Sequence, residues 1–377
     1  MGVDLSKPEA LYKQLADGIR ADIAAGKIKA GERIGSHHEL AREYNVSLIT
    51  VKRALSELIR DGVLFSRIGK GTYVNKPRTN STLAQLKTIG LVLRDLKSPF
   101  FSMIVHSVEE QASKHGYNIL VANSSEQLEK EESQIRHFCN VGVNGLIIAS
   151  MTHKYTASRV LREIHAEGYP YIVVSYVKDP DIYFVGTDHE AGGYLAARHL
   201  IENGYRSIGY INGEAGNDVG ELRKQGFLRA LHENGLVLSD RFHFRLRKRG
   251  EWHDYNSGYE IGKEVAAMVD GPRAVFAYND LAALGFQQAL IDRGIDVPGR
   301  VAIIGFDGIE RGEYAPVPLT TVQQLSGDIG LLAVANLLKR IDGQQVEPRM
   351  ILSPRLVVRE SCGAKPKIRS PLAQQES

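Results

Sequence analysis

Between residues 89 and 305, short apolar runs recur with helical segments between them, at 89–93, 119–122, 145–149, 171–174, 208–211, 274–277 and 301–305. No other feature constrains the fold as strongly. Runs this short and this uniformly apolar are strands buried on both faces, and such strands separated by helices form parallel sheets covered by those helices. One intervening helix, over about 100–115, carries the stripe Phe101, Ile104, Val105, Val108 and Ala112 and is stopped by Gly116. The repeat runs too long for one sheet, so two doubly wound lobes with a cleft between them are expected. Ligands of such folds lie beyond the carboxyl ends of the strands.

The 377 residues are 43% hydrophobic and 24% charged, ordinary globular usage that excludes disordered, collagenous and disulfide-dense classes. No apolar run approaches the roughly 20 residues that span a bilayer. The stretch from Met1 to Lys13 is polar rather than a secretory leader, so a cytoplasmic location is expected. Cys139 and Cys362 are far apart, with no CxxC, and read as structural.

Residues 1–78 carry 14 Lys or Arg against 9 Asp or Glu, and the remainder 33 against 35, so a basic module precedes a near-neutral body. A basic surface attracts phosphate backbones, but its pattern decides whether it reads bases. After Pro8, the residues Leu11, Leu15, Ile19 and Ile23 recur every four positions and predict one helix, ended by Gly26. Ser36 followed by Glu39 is a capping-box pattern that starts a second short helix burying Leu40 and Ala41, with Tyr44 a further candidate. Ser47 is the expected N-cap of a third helix, with Val51, Ala54, Leu55, Leu58 and Ile59 inward, Thr50, Lys52 and Arg53 outward, and Gly62 at its end. Val63-Leu64-Phe65 and Thr72-Tyr73-Val74 flank a polar tip and read as a β-hairpin. Three helices and such a wing make a winged helix-turn-helix, whose third helix enters the major groove by its first turn.

The runs Leu11-Tyr12-Lys13-Gln14-Leu15, Ile28-Lys29-Ala30-Gly31-Glu32-Arg33-Ile34, Glu39-Leu40-Ala41, Val46-Ser47 and Gly69-Lys70-Gly71-Thr72-Tyr73-Val74 together resemble the GntR-family DNA-binding domain over residues 8–76. The resemblance implies that His38, Ser47, Leu48, Thr50, Lys52 and Arg53, with Gly69 and Lys70 at the wing tip, face DNA. His38 and Leu48 stand where the family usually has arginine, which removes two polar contacts. A metal role for the adjacent His37 and His38 is disfavoured, because neighbouring helical residues diverge by about 100°.

In the body, Ser98-Pro99-Phe100-Phe101, Gly186-Thr187-Asp188, Arg223 ahead of Gly226-Phe227, Asn279-Asp280-Leu281, Gly305-Phe306-Asp307, Pro318-Leu319-Thr320-Thr321-Val322 and Val358-Arg359-Glu360-Ser361 occur in this order. This resembles the effector-binding domain of LacI-family repressors, itself similar to periplasmic sugar-binding proteins, over about 88–363. The resemblance implies that Arg223, Asn279 and Asp307 line an effector pocket. A forked guanidinium, an amide and a carboxylate together suit the vicinal hydroxyls of a polyol. The resemblance further implies that Trp252 stands where relatives often stack an aromatic ring on a sugar, that Arg94 and either Phe101 or Phe100 complete the pocket from the first lobe, and that Ser175 stands at a common polar contact. Three alternatives stay open: Phe101 fits the stripe of its own helix, Arg94 suits a solvated position, and Asp307 suits a strand-end cap.

The expected architecture is α/β. It places an N-terminal winged helix-turn-helix at 1–78 and a polar linker at 79–87. A two-lobed, doubly wound, periplasmic-binding-protein-like effector domain follows at 88–365, its chain crossing near 188, 318 and 352, then a polar tail at 366–377. The combination is similar to arabinose-repressor-type regulators. It implies a DNA-binding transcriptional regulator, a repressor of carbohydrate-utilisation genes modulated by a small sugar-like effector. Its partners would be double-stranded operator DNA, the effector and a second copy of the chain, docked through helices near 100–115 and 326–341, with no membrane, cofactor or metal. A nucleobase or amino-acid effector is the alternative. A solute-binding protein would account for the body alone, but it calls for a secretory leader and leaves the winged helix without a use. There is no GxGxxG after the first strand, no P-loop, no GxSxG and no HExxH, so no enzyme is expected.

Overall fold

The computed structural model describes residues 10–60, 63–67, 71–75, 86–149, 155–247 and 253–364. The chain divides into two units, Met1–Gln85 and Leu86–Ser377. In the first, α1 (Leu11–Ala24), α2 (His37–Glu43) and α3 (Leu48–Arg60) bury Leu15, Ile19, Leu40, Val51, Ala54, Leu55 and Leu58 in one cluster. β1 (Leu64–Arg67) and β2 (Gly71–Val74) pair antiparallel, and Leu64 and Val74, directly opposite each other, close that cluster. Residues 32–34 extend the hairpin: the Ile34 N–H donates to the Thr72 carbonyl at 3.0 Å and the Val74 N–H to the Glu32 carbonyl at 2.8 Å. The capping box of α2 forms in both directions, with Glu39 N–H donating to Ser36 Oγ at 3.3 Å and Ser36 N–H to the Glu39 carboxylate at 2.6 Å. Ile59, expected inward, is 38% exposed, because the inward face of α3 is already filled by Val51, Ala54, Leu55 and Leu58. Leu11 and Ile23, at the two ends of α1, are only half-buried. Gly62 lies outside the described residues.

The second unit begins with β3 (Thr88–Leu93), α4 (Pro99–Lys114), β4 (Asn118–Asn123), α5 (Leu128–Val141), β5 (Gly145–Ala149), α6 (Arg159–Ala166), β6 (Tyr171–Ser175), β7 (Phe184–Thr187) and α7 (His189–Glu202). It continues through β8 (Ile208–Asn212), α8 (Asp218–Glu233), β9 (His243–Arg245), α9 (His253–Ala266), β10 (Ala274–Ala277), α10 (Asp280–Ile291), β11 (Ala302–Asp307), β12 (Thr320–Gln323), α11 (Ser326–Ile341), β13 (Arg349–Leu352) and β14 (Arg355–Val357). Two 6-stranded sheets result, in the orders β13-β7-β6-β5-β3-β4 and β14-β12-β11-β10-β8-β9. Every pairing is parallel except that of β14 with β12.

The chain passes between the sheets after β7, after β12 and between β13 and β14. The middle passage therefore follows Gln323 rather than falling near 318, because Thr320–Gln323 is still a strand of the second sheet. Beyond it, α11 returns to the first lobe, where Ile329, Ala333, Val334 and Leu337 pack with Ile89, Leu91 and Ile104. Gly193 and Gly226 allow α7 and α8 to touch. A Cβ on Gly193 would overlap the Arg223 carbonyl, and one on Gly226 the Glu190 carbonyl. That contact holds Arg223 beside the first residue of α7. The linker expected at 79–87, apart from residues 86 and 87, and the tail expected at 366–377 lie outside the described residues.

Candidate functional site

In the first unit, Ser47 caps α3: its Oγ accepts from the Thr50 N–H at 3.1 Å and shares a 2.8 Å hydrogen bond with Thr50 Oγ1. His38, Leu48, Lys52 and Arg53 are exposed, whereas Thr50 is half-buried. Arg53 does not project freely, because its guanidinium carbon lies 4.1 Å from the centroid of the Tyr12 ring on α1, a cation–π contact. Gly69 and Lys70 lie outside the described residues.

In the second unit, a cavity of about 440 Å³ lies between the lobes, at the carboxyl ends of both sheets. Arg94, Phe101, Ser175, Arg223, Asn279 and Asp307 all line it; Trp252 lies outside the described residues. Arg94 is not a solvated side chain. Its Nε lies 3.4 Å from Glu126 Oε1, and its Nη1 donates to the Tyr155 hydroxyl at 3.4 Å. Phe101 both lines the cavity and is buried in the cluster around α4, edge-on to Phe100. Ser175 ends β6 with φ at 88°, a left-handed conformation that costs on the order of 1–3 kcal/mol in a non-glycine residue and is concentrated at ligand sites.

Arg223 is buried and its guanidinium meets four residues, Asp307, His189, Tyr278 and Phe306. Its Nη2 lies 3.4 Å from Asp307 Oδ1, its Nε donates to His189 Nδ1 at 3.4 Å, its Nη1 donates to the Tyr278 carbonyl, and its guanidinium carbon is 3.6 Å from the centroid of Phe306. Asn279 caps α10 by accepting from the Ala282 N–H at 2.9 Å and turns its amide to Asp254, donating at 2.6 Å; the Tyr278 hydroxyl donates to the same Asp254 oxygen at 2.9 Å. Asp307 accepts from Gln324 Nε2 at 2.7 Å. Burial pushes its carboxyl up to about 6 against the opposing pull of Arg223 and Gln324. The capping role open to Asp307 is taken by Asp280. That residue accepts from the Gly308 and Ile309 N–H groups at 2.8 and 2.9 Å and from the Thr321 hydroxyl at 2.6 Å, while burial and then the Asp307 charge raise its carboxyl to about 8.

His189, Asp254, Gln324, Tyr155 and Asn217 line the cavity without having been singled out in the sequence. His189 directly follows the Gly186-Thr187-Asp188 motif and Asp254 stands two residues beyond Trp252, but no pattern marks Gln324. Burial, then the Arg223 charge, hold the His189 imidazole well below its usual range, so the ring is neutral. With Nδ1 facing an Arg223 donor, the ring proton sits on Nε2, which is buried and has no hydrogen-bond partner. Among the described residues, contacts between the lobes include the Tyr155 hydroxyl donating to Asn217 Oδ1 at 3.3 Å and Lys178 Nζ lying 2.6 Å from Asp218 Oδ2. Among the described residues no group of three or more His, Cys, Asp or Glu side chains is placed to hold a metal ion, and no helix is long and apolar enough to cross a membrane.

Residues 11–74 match the model of the bacterial regulatory proteins of the gntR family, and residues 197–362 match that of the periplasmic binding protein-like domain. The chain is 31% identical over 277 residues to the HTH-type transcriptional repressor PurR of Pasteurella multocida, covering 73% of this chain and 81% of the relative. It is 28% identical over 362 residues to the arabinose metabolism transcriptional repressor of Geobacillus stearothermophilus, covering 93% and 97%. Among solved structures, a LacI family transcriptional regulator from Enterococcus faecium with bound ribose superposes with a TM-score of 0.63 at 28% identity, covering 73% of this chain and 98% of that one.

Proposed function

Because the chain belongs to the bacterial transcriptional repressors that join a helix-turn-helix reader, here of the gntR type, to a periplasmic-binding-protein-like sensor, we propose that its cleft takes a small neutral sugar and that occupancy of the cleft controls operator binding. The observation that carries this reading is the pairing of both cavity guanidiniums with carboxylates, Arg223 with Asp307 and Arg94 with Glu126. Such pairs offer donors and acceptors in alternation with little net attraction for a phosphate. Vicinal hydroxyls, each able to donate and accept, complement that alternation. The buried Nε2–H of His189 adds a donor for a further sugar oxygen. The ribose-bound neighbour and the arabinose repressor support the same ligand class.

On the DNA side, the first turn of α3 enters the major groove, with Ser47, Leu48, Thr50 and Lys52 at the bases and the nearest phosphates. His38, Arg53 and the wing-tip residues Gly69 and Lys70 serve the backbone. The acting species is a homodimer, joined through α4 and α11, where exposed Leu331 borders a groove that Met103 and His106 also line. A two-fold dimer of this kind reads a pseudo-palindromic operator in the cytoplasm, and the role is regulatory rather than catalytic. The sugar closes the lobes and releases the operator by changing the spacing of the paired readers.

Isothermal titration with pentoses, hexoses, uronates, purine bases and amino acids, paired with operator anisotropy, tests this. One sugar should bind and lower operator affinity. Binding of a purine or an amino acid in its place overturns the sugar class and leaves the regulator intact.

A further inference from the structure

The outward face of α3 carries a residue with no polar role. Ile49 is 79% exposed and its neighbour Leu48 37%, while Val51, Ala54, Leu55 and Leu58 of the same helix are buried. At about 100° per residue, Ile49 lies nearly opposite Val51 and so stands at the outermost point of the helix surface. It shares that face with exposed Lys52 and Arg53, of which Arg53 is held over Tyr12. The two hydroxyls of this turn, on Ser47 and Thr50, are bonded to each other and Ser47 also to the backbone, so the polar groups nearest Ile49 are engaged in forming the helix end. Two adjacent aliphatic side chains on the protruding turn of a basic helix gain by meeting an apolar surface. The base edges of the major groove offer one apolar group, the C5-methyl of thymine.

We propose that Ile49, flanked by Leu48, reads thymine methyl groups in the major groove of each operator half-site. The inference rests on the DNA-reading role of α3 and names what that helix selects. An arginine at position 48 would instead select guanine through its O6 and N7. This chain presents a methyl-seeking surface there, so its half-site carries thymine opposite the first turn of α3.

The test selects duplexes from a random library with the full-length chain, then replaces each thymine of the selected site by uracil, which removes the methyl group and leaves every hydrogen-bonding group in place. The expected result is an invariant thymine in each half-site whose replacement weakens wild-type binding about fourfold, the worth of one buried methyl. Ile49→Ala should bind the thymine and uracil duplexes alike, with an unchanged slope of log affinity against log salt because no phosphate contact is lost. Ile49→Val should keep most of the discrimination. Because Ile49 is exposed, unchanged thermal melting of both variants is expected and separates reading from folding. Equal wild-type affinity for the uracil duplex at every thymine, or full discrimination kept by Ile49→Ala, overturns the inference alone. A chain that selects no preferred sequence overturns the reading role of α3 together with it.

Discussion

On the proposed function, Asp307 should couple sugar binding in the cleft to solution pH. Its carboxyl, raised by burial to about 6, is ionised at neutral pH and takes up a proton as the solution is acidified through that value. A carboxylate accepts a hydroxyl proton and a carboxylic acid does so far less well, so sugar affinity should fall between pH 7 and pH 5. Asp307→Asn keeps the size, removes the charge-assisted hydrogen bond and should weaken binding by about 1.5–3 kcal/mol, roughly 10- to 150-fold, with the pH dependence flattened. Titration calorimetry at several pH values checks both, and operator affinity without sugar should be unchanged. His189 acts on stability instead. Its pKa is depressed in the folded chain, so the unfolded chain binds the extra proton first; the stability that the neutral ring contributes is complete above about 6.5 and is lost as pH falls below it. The melting temperature of the wild type should therefore drop more between pH 7.5 and 5 than that of His189→Gln. Equal drops in the two proteins would show that His189 titrates normally. At this scale Arg223, Asn279 and Asp307 were marked by the resemblance of the sequence to LacI-family effector domains. The sequence could not show that the His189 ring turns to an arginine 34 positions further along the chain.

Helix α3 is set by signals that act over a few residues: a serine cap, an inward stripe and a basic outward face. Ser47→Ala removes the side-chain acceptor of the Thr50 N–H and should cost about 1 kcal/mol of stability in chemical denaturation. Lys52→Ala should weaken operator binding without changing sugar affinity. If Lys52 contacts a phosphate, the slope of log affinity against log salt falls by about 1, whereas a base contact relaxes sequence preference instead. Local signals also made the central strands legible, because β3, β5, β6 and β10 are apolar on both faces. They failed at β7 and β12 and at three of the four sheet edges. β9, β13 and β14 are short and half-exposed, and even β4, which does stand out as an apolar run, exposes Val121 at 44%. An edge strand is recognised by its neighbour's hydrogen bonds, which no run of residues records.

At the scale of the whole molecule, reading and sensing are divided between two units of one chain. Residues 1–78 expressed alone should bind the operator much more weakly than the full chain and ignore the sugar, because without the proposed dimer surface of the sensor two half-sites would no longer act as one bivalent target. Gel shifts with and without sugar check this, and tight, sugar-responsive binding by the fragment would overturn the division. Period and capping over a few residues each determined the winged helix, the alternation of strand and helix and hence the two-lobed α/β body, since burial imposes its pattern directly on the chain. The tertiary structure alone decided the passage after Gln323, the return of α11 to the first lobe, the choice of Asp280 rather than Asp307 as the cap, and the meeting of His189, Arg223, Asp307 and Gln324 in one polar chain. Those contacts depend on how closely α7 and α8 approach at Gly193 and Gly226 and on loops beyond the strand ends, and neither leaves a period in the sequence.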